Sequence, residues 1–308
     1  MISRRNIRIK VFQTIYELGQ QFDEVQSDKA LKLLDNKLNE TSALLAASVH
    51  LTYLLCEYVL IYANQKASKF ITTADDLNIN KKLAGNLIIQ QLKKNTHFAD
   101  SIKEHKISSM FEDEFIRKLF LELIETPDYK NYISKEDRNS SEEKSIFLFI
   151  LEKIIYQNEY ASTFLSEQYQ CWYNDADMIQ SWFEKLSNTA ANFNFGKIIS
   201  PDKLEFAKDL IVAYYDKKDI VFHLIEPKLV NWDAERVALI DLILLHLGIC
   251  EMMFFKTIPV KVTINEYIDL AKSYSTLQSG QFVNGLLDSV HKDLAKENKL
   301  FKETFTKK

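Results

Sequence analysis

Glycine and proline are scarce in this sequence of 308 residues, which has 6 glycines and 4 prolines, about 3 % of the chain. Average usage of the two together is about 12 %. β-Rich folds need these residues at their turns, and nucleotide-binding α/β folds need glycine loops. Their scarcity therefore argues against both classes and favours long helices with few connections. The 46 % hydrophobic and 27 % charged content excludes a generally disordered chain.

Cysteine is rare as well. Only Cys56, Cys171 and Cys250 occur, and they lie far apart. Neither a disulfide framework nor a zinc-binding spacing follows from them. We therefore expect three buried thiols in a reducing compartment.

A membrane span is not expected. The most apolar stretch, residues 239–255, contains the ionisable residues Asp241, His246 and Glu251. A span needs about 20 mostly apolar residues, and ionisable groups within it cost several kcal/mol. The N-terminus also lacks an apolar stretch of signal-peptide length. We expect residues 239–255 to be the central buried helix of a cytoplasmic protein.

Signatures of catalysis and cofactor binding are missing too. The six glycines are scattered, so no phosphate-cradling loop is present, and no nucleophile elbow or metalloprotease motif occurs. His246 and Glu251 lie about 140° apart around one helix axis, so they do not converge on a metal ion. The sequence predicts no enzyme, no cofactor and no metal site. The net charge of −4 excludes a broadly basic nucleic-acid coat and leaves room only for a local basic patch.

Apolar residues recur at helical spacing along most of the chain, which predicts an all-α fold. Helices are expected at about 41–66, 80–94, 111–125, 143–158, 159–172, 175–191, 202–215, 217–229, 233–255, 261–275 and 281–295. Residues 21–40 are polar and charged and favour a linker or a weak helix. Pro127 predicts a helix stop, and Ser279-Gly280 predicts a turn.

The first twenty residues combine an amphipathic helix with a basic start. Ser3 is suited to cap the helix, and Arg4, Arg5 and Arg8 follow without an acidic residue between them. Basic side chains oppose the positive N-terminal end of the helix dipole, at a cost of a few tenths of a kcal/mol. Two interpretations stay open here, a polyanion-binding site and a solvated, frayed start.

Phe282 and Asn284 stand out near the end of the chain. If Phe282 opens a helix after a Ser-Gly turn, its ring is partly exposed and can stack on an unpaired base. Asn284 has amide donors and acceptors that suit a base edge. The alternative is structural, with Phe282 packing as a hydrophobic staple and Asn284 acting as a cap.

The segment that contains these two residues resembles the C-terminal signature of the transcription antitermination factor NusB family. The matching positions are Pro259, Val262, Ile264, Asn265, Glu266, Ile268, Leu270, Ala271, Lys272, Phe282, Val283, Asn284, Gly285, Leu287 and Asp288. Upstream, Trp232, Glu235, Arg236, Asp241, Leu244, Leu245 and Glu251 are similar to another family helix. The N-terminus, from Arg4 to Tyr16, is similar to the family's first helix.

The resemblance implies a NusB-like helical bundle that binds boxA-type single-stranded RNA of ribosomal RNA operons. It implies partnership with ribosomal protein S10 (NusE), other antitermination factors and RNA polymerase. Carried over by motif, Arg4, Arg5, Arg8, Phe282 and Asn284 would contact RNA. Asp241 and Gln278 would lie on the face that docks S10.

The resemblance also divides the chain. Residues 1–20 would be the first helix of the NusB-like domain, 21–199 a helical insertion of unknown role, 200–295 the NusB-like core and 296–308 a polar, solvated tail. His246 and Gln281 replace residues that are usually basic in the family, and two alternatives stay open: an RNA patch weaker than in family members, or one rebuilt by the insertion. An alternative function is a helical scaffold for protein–protein interactions. An RNA-modifying enzyme is disfavoured, because the glycine-rich cofactor loop is missing.

Overall fold

Helices make up the regular structure throughout the described residues, and no strand occurs among them. The structure, a computed structural model, describes residues 2–20, 27–229 and 237–303. The chain divides into two units. We call Lys37–Ile198 the middle unit, and Ile2–Asn36 together with Ile199–Lys308 the terminal unit. The prediction of an all-α fold is confirmed.

The terminal unit joins the two ends of the sequence. Its helices are α1 (Arg4–Gly19), the beginning of α2 (Ser27–Ala67), α11 (Pro201–Asp216), α12 (Lys218–Ile225), α13 (Leu239–Phe254), α14 (Val260–Tyr274) and α15 (Leu277–Lys296). A 3₁₀ turn, Glu226–Lys228, follows α12. Helix α13 lies at the centre and packs against α1, α11, α12, α14 and α15.

Helix α1 forms as its sequence pattern predicts. The Ser3 side chain accepts a hydrogen bond from the Asn6 backbone N–H at 3.1 Å, which satisfies one of the free donors at the helix start. Ile7, Val11 and Ile15 recur at a spacing of four residues and are buried, so one face of α1 packs against α11 and α13. The first helix therefore belongs to the C-terminal bundle, although most of the chain separates them.

Helix α13 confirms the prediction of a central buried helix. Every residue from Ile243 to Met252 is buried. At Gly248 a Cβ atom would lie 3.0 Å from Leu287 and 3.4 Å from Tyr267. Glycine therefore lets α14 and α15 approach α13 closely.

The tail departs from the prediction of a solvated end in its described part. The Lys302 ammonium donates hydrogen bonds to the backbone carbonyls of Glu251 at 3.1 Å and Phe255 at 2.7 Å. These carbonyls lie at the C-terminal end of α13, where a cation is favoured by the helix dipole. Burial lowers the pKa of Lys302. The Glu303 N–H also donates to the Lys256 carbonyl, so this part of the tail is attached to the bundle.

The regular structure of the middle unit is helical throughout its described residues. It contains most of α2 and the helices α3 (Ala74–Leu77), α4 (Leu87–Lys94), α5 (Thr96–Glu104), α6 (Asp113–Glu125), α7 (Pro127–Ser134), α8 (Ser140–Phe149), α9 (Glu159–Gln168) and α10 (Trp172–Thr189). Two 3₁₀ turns, Lys82–Gly85 and Ile107–Ser109, and a π-helical segment, Ile150–Tyr156, complete it. Pro127 follows the end of α6 as predicted, but it also opens α7, where Thr126 is the cap.

Helix α2 decides between the two alternatives predicted for residues 21–40, a linker or a weak helix, because residues 27–40 are helical. It begins at Ser27, because Ala30, Leu34 and Leu38 form a buried stripe at a spacing of four residues. Residues 21–26 lie outside the described residues. By length and composition α2 passes the test for a membrane-spanning helix, and 72 % of its most apolar 18-residue stretch is buried inside the structure. Such burial is typical of a core helix.

A buried glutamate organises part of the middle unit. The Glu143 carboxylate is 1 % exposed and accepts hydrogen bonds from Arg138 at 3.0 Å, Tyr132 at 2.9 Å and the Leu87 N–H at 2.8 Å. Because a buried charge is costly unless it is paired, these three donors make its burial possible. They connect α4, α7 and α8.

Candidate nucleic-acid interface

A second buried glutamate, Glu251, fixes α1 within the terminal unit. Its side chain is fully buried and accepts two hydrogen bonds of 2.8 Å from the Arg8 guanidinium, one to each carboxylate oxygen. Thr263 donates a third at 2.7 Å and Tyr267 a fourth at 3.3 Å. The carboxylate is thus satisfied by donors from α1 and α14 while it sits on α13.

The Arg8 side chain is as buried as the carboxylate that it pairs with, and its exposed fraction is 3 %. Burial disfavours its charge, but the hydrogen bonds and charge of Glu251 outweigh this effect and raise the pKa of Arg8. A guanidinium enclosed in this way has no surface for a phosphate. The prediction that Arg8 contacts RNA is therefore revised, because the structure makes Arg8 the residue that attaches α1 to the bundle.

Arg4 and Arg5 point to different neighbours. The Arg4 guanidinium lies 5.8 Å from the centre of the Phe206 ring on α11. Arg5 Nη1 lies 3.3 Å from Asp269 Oδ2 and 3.9 Å from Glu266 Oε2, both on α14. Since 41 % of the Arg5 side chain is exposed, solvent screens these ion pairs and they contribute little to stability. Arg5 therefore keeps access to a ligand.

Arg5 stands beside a shallow groove of about 590 Å³ between α14 and α15, which we call the amide groove. Its lining residues are Asn265, Ile268, Asp269, Lys272, Gly280, Gln281 and Asn284. Each α14 residue lies three or four positions from at least two others, so they share one helix face. Asp269 both lines the groove and holds Arg5, which connects the N-terminal helix to this site.

Close approach of α14 and α15 shapes the amide groove. A Cβ atom at Gly280 would lie 2.7 Å from Lys272 Cγ, so glycine leaves room for the Lys272 side chain to cross α15. Thr276 caps α15, since its hydroxyl accepts from the Ser279 N–H at 3.0 Å. The prediction of a turn at Ser279-Gly280 is wrong, because both residues lie in the first turns of α15.

The chemistry of the amide groove suits an unpaired nucleotide. Asn265, Gln281 and Asn284 are exposed, and each amide offers donors and an acceptor for a base edge. Lys272 adds a cation for a phosphate, and Arg5 adds a second one beside it. The Asp269 carboxylate opposes phosphate binding, and its pairing with Arg5 reduces this repulsion.

Phe282 does not lie with these amides. It is half-buried in the second turn of α15. Asn284 lies two positions further along, which places the two side chains about 200° apart around the helix. Ser289 on the Phe282 side of α15 accepts a hydrogen bond from Lys228 at 2.9 Å. The Phe282 flank therefore faces the turn that follows α12, whereas the Asn284 flank faces α14.

Asp241 and Gln278 occupy different surroundings. Gln278 is exposed at the start of α15. Asp241 is 6 % exposed in the first turn of α13, and its Oδ1 has no hydrogen-bond partner among the described residues. The helix dipole favours a carboxylate at this position. The neighbouring motif residues Trp232, Glu235 and Arg236 lie outside the described residues.

His246, which stands where the family usually has arginine, is buried in the core of the terminal unit. Its ring centre lies 4.3 Å from that of Tyr214. Burial, with a smaller contribution from the charge of Lys218, lowers the pKa of His246 to about 4. The ring is therefore neutral near pH 7 and supplies no charge to an RNA surface. Gln281, the other replaced position, lines the amide groove.

Sequence reasoning missed two parts of this site. It assigned no role to Asn265 and Lys272, although both lie in the quoted motif at a spacing of seven residues, which is the signal for one helix face. It also missed the pairing of Arg8 with Glu251, and no local pattern reveals a pair of residues 243 positions apart. Within the described residues, no group of three potential ligands is placed to hold a metal ion.

Comparison with known proteins identifies the family of the C-terminal part of the chain, and the match begins in α9 of the middle unit. The sequence model of the NusB family matches residues 160–292. The chain is similar to the transcription antitermination protein NusB of Finegoldia magna, with 37 % identity over 100 residues, which is 32 % of this chain and 72 % of the relative. NusB of Methylacidiphilum infernorum is 39 % identical over 109 residues (35 % and 76 %). NusB of Clostridium perfringens is 35 % identical over 113 residues (36 % and 84 %). No solved structure matches the chain at a significant level.

Proposed function

Because this chain belongs to the NusB family, we propose that it is an RNA-binding transcription antitermination factor of the cytoplasm. It binds boxA-type single-stranded RNA of ribosomal RNA operons together with ribosomal protein S10 (NusE). It acts within a complex that contains other antitermination factors and RNA polymerase. It requires no cofactor and catalyses no reaction.

The observation that carries this proposal is the position of Arg5 at the amide groove. Two parts of the sequence that are far apart supply the two kinds of contact that a single strand needs. Asn265, Gln281 and Asn284 supply amides for base edges, and Arg5 and Lys272 supply cations for phosphates. The Arg8–Glu251 pair holds α1 in place and acts on RNA only through Arg5.

The charge of the terminal unit sets the expected affinity. This unit has 21 basic and 21 acidic residues, so attraction to RNA comes from a local patch rather than from an overall positive field. A small number of phosphate contacts gives a modest affinity with a salt slope of about −0.7 for each contact to a single strand. This weak binding is the reason to expect that a protein partner completes the site.

We propose that Arg4 and Phe282 contact RNA outside the amide groove. Arg4 is exposed on α1, where a phosphate of a longer strand can reach it. Phe282 is on the other flank of α15 from Asn284, so it would stack only a base that has passed over the helix. We expect their substitution to cost less affinity than substitution at the amide groove.

We propose that S10 binds at the N-terminal ends of α13 and α15. Asp241 is buried in the first turn of α13, so S10 would contact the surface that its side chain supports. Gln278 is exposed at the N-terminal end of α15 and would contact S10 beside it. The expected effect of Asp241→Ala is weaker S10 binding with unchanged binding of RNA alone.

The test is a titration of a fluorescein-labelled boxA-type RNA with the full chain, followed by fluorescence anisotropy with and without S10. Arg5→Gln should weaken binding roughly three- to tenfold and reduce the salt slope by about 0.7. The matched control is Arg117→Gln in the middle unit, since Arg117 is also half-exposed and paired with a carboxylate, Glu114, at 3.1 Å.

Equal losses in the two variants would remove the amide groove from the proposal, because both substitutions lower the positive charge by one. Absence of a preference for boxA-type RNA over a scrambled strand, with and without S10, would reject the proposed function itself.

A further inference from the structure

The middle unit has a groove of about 610 Å³ between α6 and α9 that plays no part in the proposed RNA binding. On α6, Phe115 and Glu122 are seven residues apart, and on α9, Tyr160 and Glu167 are also seven apart. Residues at this spacing lie on one face of a helix. Each helix therefore contributes an aromatic residue and a carboxylate to the same cleft, which we call the aromatic groove.

The floor of the aromatic groove is a series of neighbouring aromatic rings in tilted contact. The ring centres of Phe115 and Phe164 lie 4.6 Å apart, and those of Phe115 and Tyr160 lie 5.0 Å apart. Phe111 extends the series, with its ring centre 5.6 Å from that of Phe164. Phe115 is buried, whereas 40 % of Tyr160 is exposed. The series thus begins in the core and ends at a ring that solvent can reach.

The rim of the groove is negative. Glu122, Glu159 and Glu167 line it and are exposed. Asn158 donates a hydrogen bond to Glu122, and none of the three carboxylates has a salt bridge among the described residues. No basic side chain belongs to the lining. The middle unit as a whole has 18 basic and 22 acidic residues, so its surroundings reinforce the negative potential.

A cation already occupies the outer ring. The Lys118 ammonium lies 3.6 Å from the centre of the Tyr160 ring, which is a cation–π contact. Lys118 is exposed and forms no salt bridge among the described residues. Its position shows that the Tyr160 face accommodates a cation. Because the Lys118 side chain is flexible, a cation of a ligand can replace it.

We propose that the aromatic groove binds a basic segment of a partner protein. An arginine or lysine side chain of that segment stacks on Tyr160 in place of Lys118, its apolar neighbours cover Phe164, and other basic side chains pair with Glu122, Glu159 and Glu167. RNA is disfavoured as the occupant, since three carboxylates repel phosphates. This binding function goes beyond RNA binding and gives the middle unit a role of its own.

The test measures binding of a fluorescein-labelled peptide of alternating arginine and leucine to the full chain. The triple variant Glu122→Gln, Glu159→Gln, Glu167→Gln should bind roughly tenfold more weakly than wild type, because three exposed ion pairs are lost. The matched control removes three exposed carboxylates elsewhere in the middle unit, through Asp100→Asn, Glu104→Gln and Glu136→Gln. It should change the affinity by less than about threefold.

Lys118 provides a test of opposite sign. Lys118→Met removes the internal cation from Tyr160, so the peptide should bind about threefold more tightly. Lys103→Met removes an exposed lysine from the same unit and controls for the change in net charge. Tyr160→Leu should weaken binding about threefold. Circular dichroism melts check that every variant is folded.

Three results would overturn the proposal. Equal losses in the two triple variants would indicate unspecific attraction to an acidic unit. Self-association of the wild-type chain that the groove triple abolishes would identify a second copy of the chain as the occupant. Displacement of the peptide by single-stranded RNA, with the same dependence on Tyr160, would identify nucleic acid instead.

Discussion

Each unit contains a buried glutamate that accepts hydrogen bonds from an arginine and a tyrosine. The two arrangements differ in the sequence separation of the arginine from the glutamate and in the exposure of the arginine. In the middle unit, Arg138 pairs with Glu143 from five residues away, and 34 % of the arginine side chain is exposed. In the terminal unit, Arg8 pairs with Glu251 from 243 residues away, and the arginine is 3 % exposed.

The difference in sequence separation gives the two ion pairs different roles: one stabilises a local cluster of helices, and the other brings distant parts of the chain together. The middle-unit pair connects neighbouring helices that chain connectivity already keeps close. The terminal-unit pair connects helices at opposite ends of the sequence, and closing a longer loop costs more chain entropy. Because this pair is fully desolvated, removing one partner leaves a buried, unpaired charge, which is strongly destabilising. The terminal pair therefore determines whether α1, with Arg5, reaches the amide groove.

The largest effect is expected from breaking the terminal pair. Arg8→Met leaves the Glu251 carboxylate buried without a cation, and this should lower the free energy of unfolding by about 3–5 kcal/mol. Arg138→Met should cost about 1–2 kcal/mol, because water reaches the half-exposed site. Urea unfolding measures both, and hydrogen exchange shows which unit opens. Equal losses of unfolding free energy in the two variants would contradict the different roles assigned to the two ion pairs.

Acid should destabilise both units through one buried histidine in each. Burial lowers the pKa of His50 to about 4, and His246 has a similar value. The unfolded chain takes up these protons near pH 6.5. The stabilising contribution is therefore complete above pH 6.5 and is lost as the pH falls towards 4, by about 1.4 kcal/mol per pH unit for each histidine.

The variants His50→Gln and His246→Gln do not titrate, so each should flatten the pH dependence of unfolding in its own unit. Urea unfolding between pH 7 and pH 4 measures this slope. An unchanged slope in both variants would show that the histidines titrate alike in the folded and unfolded chains.

Gly85→Ala tests the middle pair without removing a charge. A Cβ atom there would overlap Arg138 Nη2, so the guanidinium must move away from the Lys82 carbonyl, to which it donates at 2.8 Å. We expect a loss of about 1–2 kcal/mol for this hydrogen bond, measured by thermal unfolding. RNA binding should stay unchanged, and a loss of it would show that the middle pair also supports the amide groove.

The smallest effect concerns the carboxylate that holds Arg5. Asp269→Asn removes a negative charge from the amide groove and releases Arg5 from one ion pair. RNA should bind about threefold more tightly, and fluorescence anisotropy measures this change. Asp288→Asn is the control, since Asp288 on α15 is also paired with a basic residue, Lys292. Weaker binding of RNA by Asp269→Asn would mean that Asp269 positions Arg5 rather than competing with phosphate.

Sequence patterns predicted the parts of this fold that depend on local spacing. The buried stripe of α1 and the burial of α13 follow from apolar periodicity. Failures occurred where composition concealed the pattern. The charged residues at 21–40 left open whether they form a linker or a weak helix, although α2 has a buried stripe there. Ser279-Gly280 suggested a turn, although Thr276 caps a helix three residues earlier.

The candidate site was less predictable, because burial and helix flank decide which motif residues are available. Arg8 and Arg5 are three residues apart in one basic cluster, yet one is enclosed by Glu251 and the other is exposed. Phe282 and Asn284 belong to one motif, yet they lie on opposite flanks of α15. These differences in burial and orientation depend on tertiary contacts, so the sequence of a single helix does not reveal them.

The most direct test of the account is photo-crosslinking of a 4-thiouridine-substituted boxA-type RNA to the full chain in the presence of S10, with adducts mapped by mass spectrometry. We predict adducts on α14 and α15 around Asn265, Lys272 and Gln281, and on the first turns of α1, with loss of the α1 adducts in Arg8→Met. Adducts confined to Lys37–Ile198 would contradict the assignment of RNA binding to the terminal unit.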